Sequence, residues 1–204
     1  MKNEKKISKK AVREKILAFL DQSAALPDTR KGKFRCGMKH RNALVLATSY
    51  EDVPRATALE FFHEGLILYI LGVPGGKIAN IKRNKRVSAF VYEQPMDHSV
   101  LQKSLQVFGE ADLITRRDRN RLFQRKLKQY NMDQVMTKLL EPIAREKNLQ
   151  GEASRAFIKK FIDACSFIRI TPQRMILKEY YPDFSMAKFE WEKTKSRATR
   201  RESE

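Results

Sequence analysis

The segment Gly72-Val73-Pro74-Gly75-Gly76-Lys77 joins an apolar, strand-like run, Leu66 to Leu71, to a short helical pattern that continues through Ile78-Ala79-Asn80-Ile81. Glycines without side chains let backbone N–H groups approach a ligand closely. The first turn of a helix leaves N–H donors unpaired and favours negative charge. Lys77 adds a mobile ammonium at the same point. Together these features make a seat for one phosphate group. The same residues also fit a plain strand-to-helix turn with a solvent-exposed lysine, and the segment alone does not choose between the two.

Other chemistry-bearing residues are sparse. The three histidines are His40, His63 and His98. His63 falls in a hairpin turn and His40 in a basic loop, and both read as solvent-facing. His98, within Met96-Asp97-His98-Ser99, is a candidate to line a ligand cleft. Cys36 and His40 have a C-x3-H spacing, but no second ligand pair accompanies them, so no metal site is expected. The two cysteines, Cys36 and Cys165, make no disulfide framework. No Ser/His/Asp or Cys/His arrangement is supported by spacing, and no catalytic residue is assigned.

A chain of 204 residues is long enough for one domain with a real core. The 42 Lys and Arg against 24 Asp and Glu give a net charge of +18, which implies an anionic partner. The positive charge gathers near the N-terminus, in Arg116 to Lys128, and near the C-terminus. Met1 to Lys6 leads into no apolar signal-peptide core, and no apolar run approaches membrane-spanning length. With few cysteines, these features fit a reducing cytoplasm.

The elements that must position the seat can be read from periodicity. Ser8 caps a first helix whose Val12, Ile16, Phe19 and Leu20 form one apolar stripe. Pro27 to Gly37 is a basic loop. Strands follow at Ala43–Ser49, Pro54–Phe62 and Leu66–Leu71, with turns at Tyr50-Glu51-Asp52 and His63-Glu64-Gly65. A short helix, Lys77–Arg83, stops at Asn84. Arg86–Tyr92 alternates as a strand. Val100–Ile114 reads as a long strand with a bulge or bend at Gly109. Helices are expected at Asp118–Tyr130, at Asp133–Lys147 with an interruption near Pro142, and at Ala153–Ala164. Two more strands, Ser166–Ile170 and Arg174–Glu179, are split by Thr171-Pro172. From about Thr194 the chain reads as disordered. The organisation expected is an N-terminal helix and basic loop over 1–41, a barrel domain over 42–180 with a helical insertion at 116–164 before the last strands, and a basic tail over 181–204. The fold class is mainly β, an antiparallel split barrel with added helices.

The order of these pieces resembles the FMN-binding split barrels related to pyridoxamine 5′-phosphate oxidase. The matching pieces are Pro54-Arg55-Ala56-Thr57-Ala58-Leu59, Gly65 with Leu66 to Leu71, Gly75-Gly76-Lys77, Asn80-Ile81-Lys82-Arg83-Asn84, Arg86-Val87-Ser88, Val107-Phe108-Gly109-Glu110-Ala111, and Ile168-Arg169-Ile170-Thr171-Pro172-Gln173-Arg174. The resemblance spans Asn42 to about Leu177. It implies a homodimer with two FMN sites at its interface and an oxidoreductase acting on a small molecule. It implies cofactor contacts from Arg55, Ala56, Thr57, Ala58 and Leu59, much of them through backbone. It adds Ile70, Leu71, Gly75, Gly76, Lys77 and Ser104, with Arg55 and Lys77 neutralising the phosphate. Ile70-Leu71 and Gly76 depart from a pair that usually includes a hydroxyl and from a position often basic or polar. The authentic oxidases carry lysine where this chain has Glu60, and a carboxylate there repels a phosphorylated substrate. Related barrels hold deazaflavin or haem instead, which is a second reading. A basic nucleic-acid binder using Arg116 to Lys128 is a third, although only Phe123 and Tyr130 supply aromatics there.

Overall fold

The computed structural model describes residues 7–27, 38–39, 42–93 and 99–194. The readings made for Cys36, His40, His98, the loop 28–37 and the tail 195–204 lie outside these residues.

Helix α1 (Lys9–Ser23) begins where the Ser8 hydroxyl accepts the Ala11 N–H at 3.2 Å, as its N-cap chemistry predicts. Its stripe of Val12, Ile16, Phe19 and Leu20 packs into the main core. A two-residue ladder joins β1 (Leu26–Pro27) to β2 (Met38–Lys39). The remaining strands form one antiparallel sheet. They are β3 (Leu44–Tyr50), β4 (Val53–Leu59), β5 (Phe62–Glu64), β6 (Ile67–Gly72), β7 (Arg86–Tyr92), β8 (Gln102–Thr115), β9 (Ser166–Tyr180) and β10 (Met186–Glu192). Helix α2 (Gly76–Arg83) follows β6. Helices α3 (Arg116–Gln129), α4 (Met132–Glu146) and α5 (Gly151–Ala164) separate β8 from β9.

The strand order is β4-β3-β7-β8-β9-β6-β5, with β10 also on β9. The sheet does not close on itself, and it is a split barrel. Strand β9 explains the split. Along one edge it pairs with β8 over its whole length. Along the other it pairs first with β6, through Ser166–Ile170, and then with β10, through Arg174–Tyr180. Alternation sends Leu46, Ala89, Val91, Leu105, Val107 and Ile170 inward onto α1. On the opposite face of β6 and β9, Tyr69 and Phe167 pack under the helical layer through Phe123, Leu127 and Tyr130.

Four local expectations are corrected. Pro54–Phe62 is two strands, interrupted at Glu60-Phe61, where consecutive Phe61 and Phe62 are both buried and the alternation breaks. Thr171-Pro172 does not split β9. The ladder shifts register there, with Phe108 opposite Arg174 and Gly109 opposite Pro172, so the proline sits at a bulge where its missing N–H costs no ladder bond. Pro142 lies inside an unbroken α4, near its C-terminal end, where buried Leu140 and Ala144 hold the helix down. The stretch after 180, read as a tail, supplies β10, whose Ala187, Phe189 and Trp191 pack on the core.

The helical layer is pinned by one polar node. The Glu64 carboxylate accepts hydrogen bonds from the buried Lys126 ammonium, from Gln129 at 2.6 Å and from Tyr130 at 2.9 Å. Lys126 also lies 4.3 Å above the Tyr69 ring. Burial alone raises the Glu64 carboxyl, but these hydrogen bonds and the Lys126 charge outweigh it and hold it below the ordinary 4.5. A depressed carboxyl contributes stability above its unfolded value and loses it as pH falls through the folded one. Glu64→Gln is therefore expected to be less stable than wild type at pH 7, with a flatter loss of stability on acidification below about 4.5. Urea midpoints between pH 7 and pH 3 measure both, and parallel acid limbs for the two proteins refute this role.

Candidate functional site

The candidate phosphate seat is built by three elements. Pairing of β3 with β4 sets Thr48 opposite Arg55. From α2, Asn80 Nδ2 donates to Thr48 Oγ1 at 3.2 Å and Asn84 Nδ2 donates to the Ser49 carbonyl at 3.1 Å. With Ile78 and Ile81 buried beneath it, α2 is fixed across the end of β3. This brings the Arg55 guanidinium against the start of the helix. A Cβ at Gly76 would lie 3.1 Å from Arg55 Nη1, so a side chain there displaces the arginine. Gly75 is the N-cap at φ 152°, a conformation that favours glycine, and no side chain caps the helix N–H groups. Adding a Cβ at Gly75 meets nothing within 4 Å, so the approach to those donors is open.

Lys77 is only 8% exposed. Its ammonium has one weak contact, 3.4 Å to the Val73 carbonyl. Among the described residues no carboxylate pairs with Lys77 or with Arg55. Desolvation, and then the neighbouring Arg55 charge, lower the Lys77 pKa from 10.5. Cys165 lies close enough to feel this lysine. Burial pushes its thiol up to about 11, while the Lys77 charge opposes that rise. A buried cation without a counter-ion is costly. Two cations, free helix N–H groups and a side-chain-free cradle converge on one place, and that donor set fits a phosphate dianion such as the one FMN carries. Among the described residues no cluster of histidine, cysteine and carboxylate side chains fits a metal ion.

The other expected contacts scatter. Arg55, Thr57 and Leu59 share the core-side face of β4 with their partners on β3, whereas Ala56 and Ala58 point out and are exposed. Ile70 is fully buried in the barrel core. Leu71 packs toward the helical layer. Ser104 is buried on β8, opposite Tyr92 and Lys178, three strands away from Arg55 in the sheet order. His63 is not simply solvent-facing. Its Nδ1 lies 3.0 Å from the Gly65 carbonyl and its Nε2 3.1 Å from Asp21, so it ties the β5–β6 turn to α1. The basic segment is partly consumed by structure, since Arg116 pairs with Asp163 and Lys126 with Glu64. Cys165 and Thr48 were not anticipated. Thr48 carried a signal, as an inward-facing hydroxyl in an otherwise apolar strand face.

Among the described residues no helix is long and apolar enough to cross a membrane. No curated protein matches the chain. The solved structure of PhzG from Burkholderia lata 383, in complex with tetrahydrophenazine-1-carboxylic acid, has a TM-score of 0.56 at 12% identity, covering 95% of this chain and 91% of that one. That likeness supports the fold. A FAD-binding protein from Mesorhizobium loti is 21% identical over 68% of this chain and 86% of its own, with a TM-score of 0.48. General Stress Protein 26 from Bacillus anthracis is 18% identical over 86% and 97%, with a TM-score of 0.44. The family model described as pyridoxamine 5′-phosphate oxidase matches residues 31–175, well over half of the sequence. With the split barrel, this places the chain in the pyridoxamine 5′-phosphate oxidase family.

Proposed function

We propose that this protein is an FMN-binding flavoprotein that works as a homodimer and as an oxidoreductase on a small molecule. The observation that carries the reading is Lys77, a buried ammonium with no counter-ion among the described residues, set beside Arg55 at the start of α2. In this reading Lys77 and Arg55 hold the phosphate, and the α2 N–H groups share its charge. Among the described residues, strand β4 lies at the edge of the sheet and pairs only with β3. Its outer backbone groups are free to meet the polar rim of a flavin ring, and the small exposed Ala56 and Ala58 let the ring approach. A bound flavin supplies the redox chemistry, and the chain supplies binding, orientation and exclusion of water.

The dimer is supported by the outer sheet face that the helices leave bare. There Phe90, 41% exposed, stacks on Tyr92 with ring centroids 5.9 Å apart. A second copy would cover this face and complete the ring site. The test is direct. The purified protein is expected to be yellow, with the absorbance bands of oxidised flavin, and to bind one FMN per chain on titration. Sedimentation is expected to give a dimer at micromolar concentration. A colourless monomer that ignores added FMN and carries nucleic acid overturns the reading.

A further inference from the structure

A second polar constellation lies on the outer face of the barrel, under α3, and the phosphate seat does not use it. In register across three strands stand Tyr69 on β6, Arg169 on β9 and Asp112 on β8. Alternation sends their neighbours Ile168 and Ile170 into the core, so this row faces away from it. The Asp112 carboxylate accepts from Arg169 Nη2 at 2.7 Å and faces Lys85 Nζ at 3.6 Å. Lys85 is held there because its carbonyl accepts the Ala111 N–H at 2.8 Å. Arg119 is near enough to act on Asp112 as well. Three cations thus surround one carboxylate. On the same face, Glu110 is occupied by Gln173 Nε2 at 3.1 Å and stands opposite Arg86, so it does not rebalance the charge.

Two features mark this cluster as more than a surface ion pair. Arg169 Nε is the one buried side-chain polar atom without a hydrogen-bond partner among the described residues. A desolvated donor without an acceptor is costly, and it leaves the guanidinium fork only half used. Helix α3 also breaks beside the cluster. Thr115 caps its first turn through the Asp118 N–H at 3.0 Å, and then Arg119 adopts φ −140°, ψ 52° before the helix resumes. No proline or glycine at that position accounts for the break.

We propose that the outer face of β8 and β9, beneath the break in α3, is a second site for a small oxyanion, inorganic phosphate or a phosphate monoester, held by Lys85, Arg119 and Arg169. Asp112 orients Arg169 and leaves a net positive rim. An anion there pairs the remaining guanidinium and ammonium donors through charge-assisted hydrogen bonds. The site is separate from the Lys77 seat and does not depend on the FMN reading.

Equilibrium dialysis at low salt, with inorganic phosphate and with glycerol 3-phosphate as the two probes, tests it. Lys85 and Arg119 are exposed, so Lys85→Gln/Arg119→Gln leaves the core untouched. The expected result is saturable binding by Lys77→Ala protein that weakens at least about tenfold when the Lys85 and Arg119 changes are added. Whichever probe binds more tightly identifies the source of the oxyanion. Failure of the Lys77→Ala protein to bind either probe overturns the proposal. So does equal binding with and without Lys85 and Arg119.

Discussion

Replacing Lys77 with alanine is expected to weaken FMN about ten- to a hundredfold and riboflavin hardly at all. In the proposed site this lysine touches only the phosphate, and a charge-assisted contact of that kind contributes about 1.5–3 kcal/mol. The structure adds a second expectation with the opposite sign. Without an anion, Lys77 is desolvated beside Arg55, and its pKa lies below 10.5. A lysine with a lowered folded pKa penalises the folded state while the unfolded chain keeps its proton, which is the case at neutral pH. The flavin-free Lys77→Ala protein should therefore unfold at a temperature no lower than that of flavin-free wild type. FMN affinity in the wild type should also fall as pH rises toward the lowered value, and the variant should lack this dependence. Fluorescence titrations with both flavins, together with thermal melts of the flavin-free forms, separate the possibilities. Equal losses for FMN and riboflavin, with a lower melting temperature, mean that Lys77 serves folding and not the phosphate.

What was legible in the sequence followed from local rules with little tertiary competition. The Ser8 cap, the apolar stripe of α1, the alternation of β7 and the glycine-lysine turn into α2 all appear where the residues put them. Two of the errors arose where a proline was read as a break. Pro142 and Pro172 are tolerated because packing holds α4 near its end and a bulge absorbs the missing N–H in β9. Strand β10 was hidden by the charges of Lys188, Glu190 and Glu192 on its outer side, although Ala187, Phe189 and Trp191 alternate as a strand should. In the site, spacing pointed to Lys77 but not to its burial. That burial depends on α2 being tied to β3 by Asn80 and Asn84, contacts that join residues more than thirty positions apart. The second cluster was invisible for the same reason, since Lys85, Asp112, Arg119 and Arg169 meet only when four elements are assembled.

The largest effect on stability is expected at Gly109, where the bulge brings β8 and β9 together. A Cβ at this position would lie 2.4 Å from the Thr171 carbonyl oxygen and 3.0 Å from Pro172 Cα. Both are backbone atoms, so no rotamer change relieves the overlap. The strands must separate at the point where β9 passes from pairing with β6 to pairing with β10. Overpacking of this kind costs about 1–3 kcal/mol, and backbone contacts place Gly109→Ala at or above the upper end of that range. Gly72→Ala supplies the comparison. Its Cβ would come nearest to the methyl tips of Ile168 and Ile78, at 3.1 Å each, and side-chain ends can move. Gly65→Ala supplies a second comparison, with open space around it but φ at 58°, so it should cost only about 1 kcal/mol of backbone strain. Urea unfolding of the three variants should therefore rank Gly109→Ala as the least stable by a clear margin. Because the ladder below the bulge leads through Ser166 and Gly72 to the proposed phosphate seat, loosening it should also weaken the proposed FMN binding in whatever fraction stays folded. A Gly109→Ala midpoint equal to that of wild type would show that β8 and β9 do not approach as closely as this register requires.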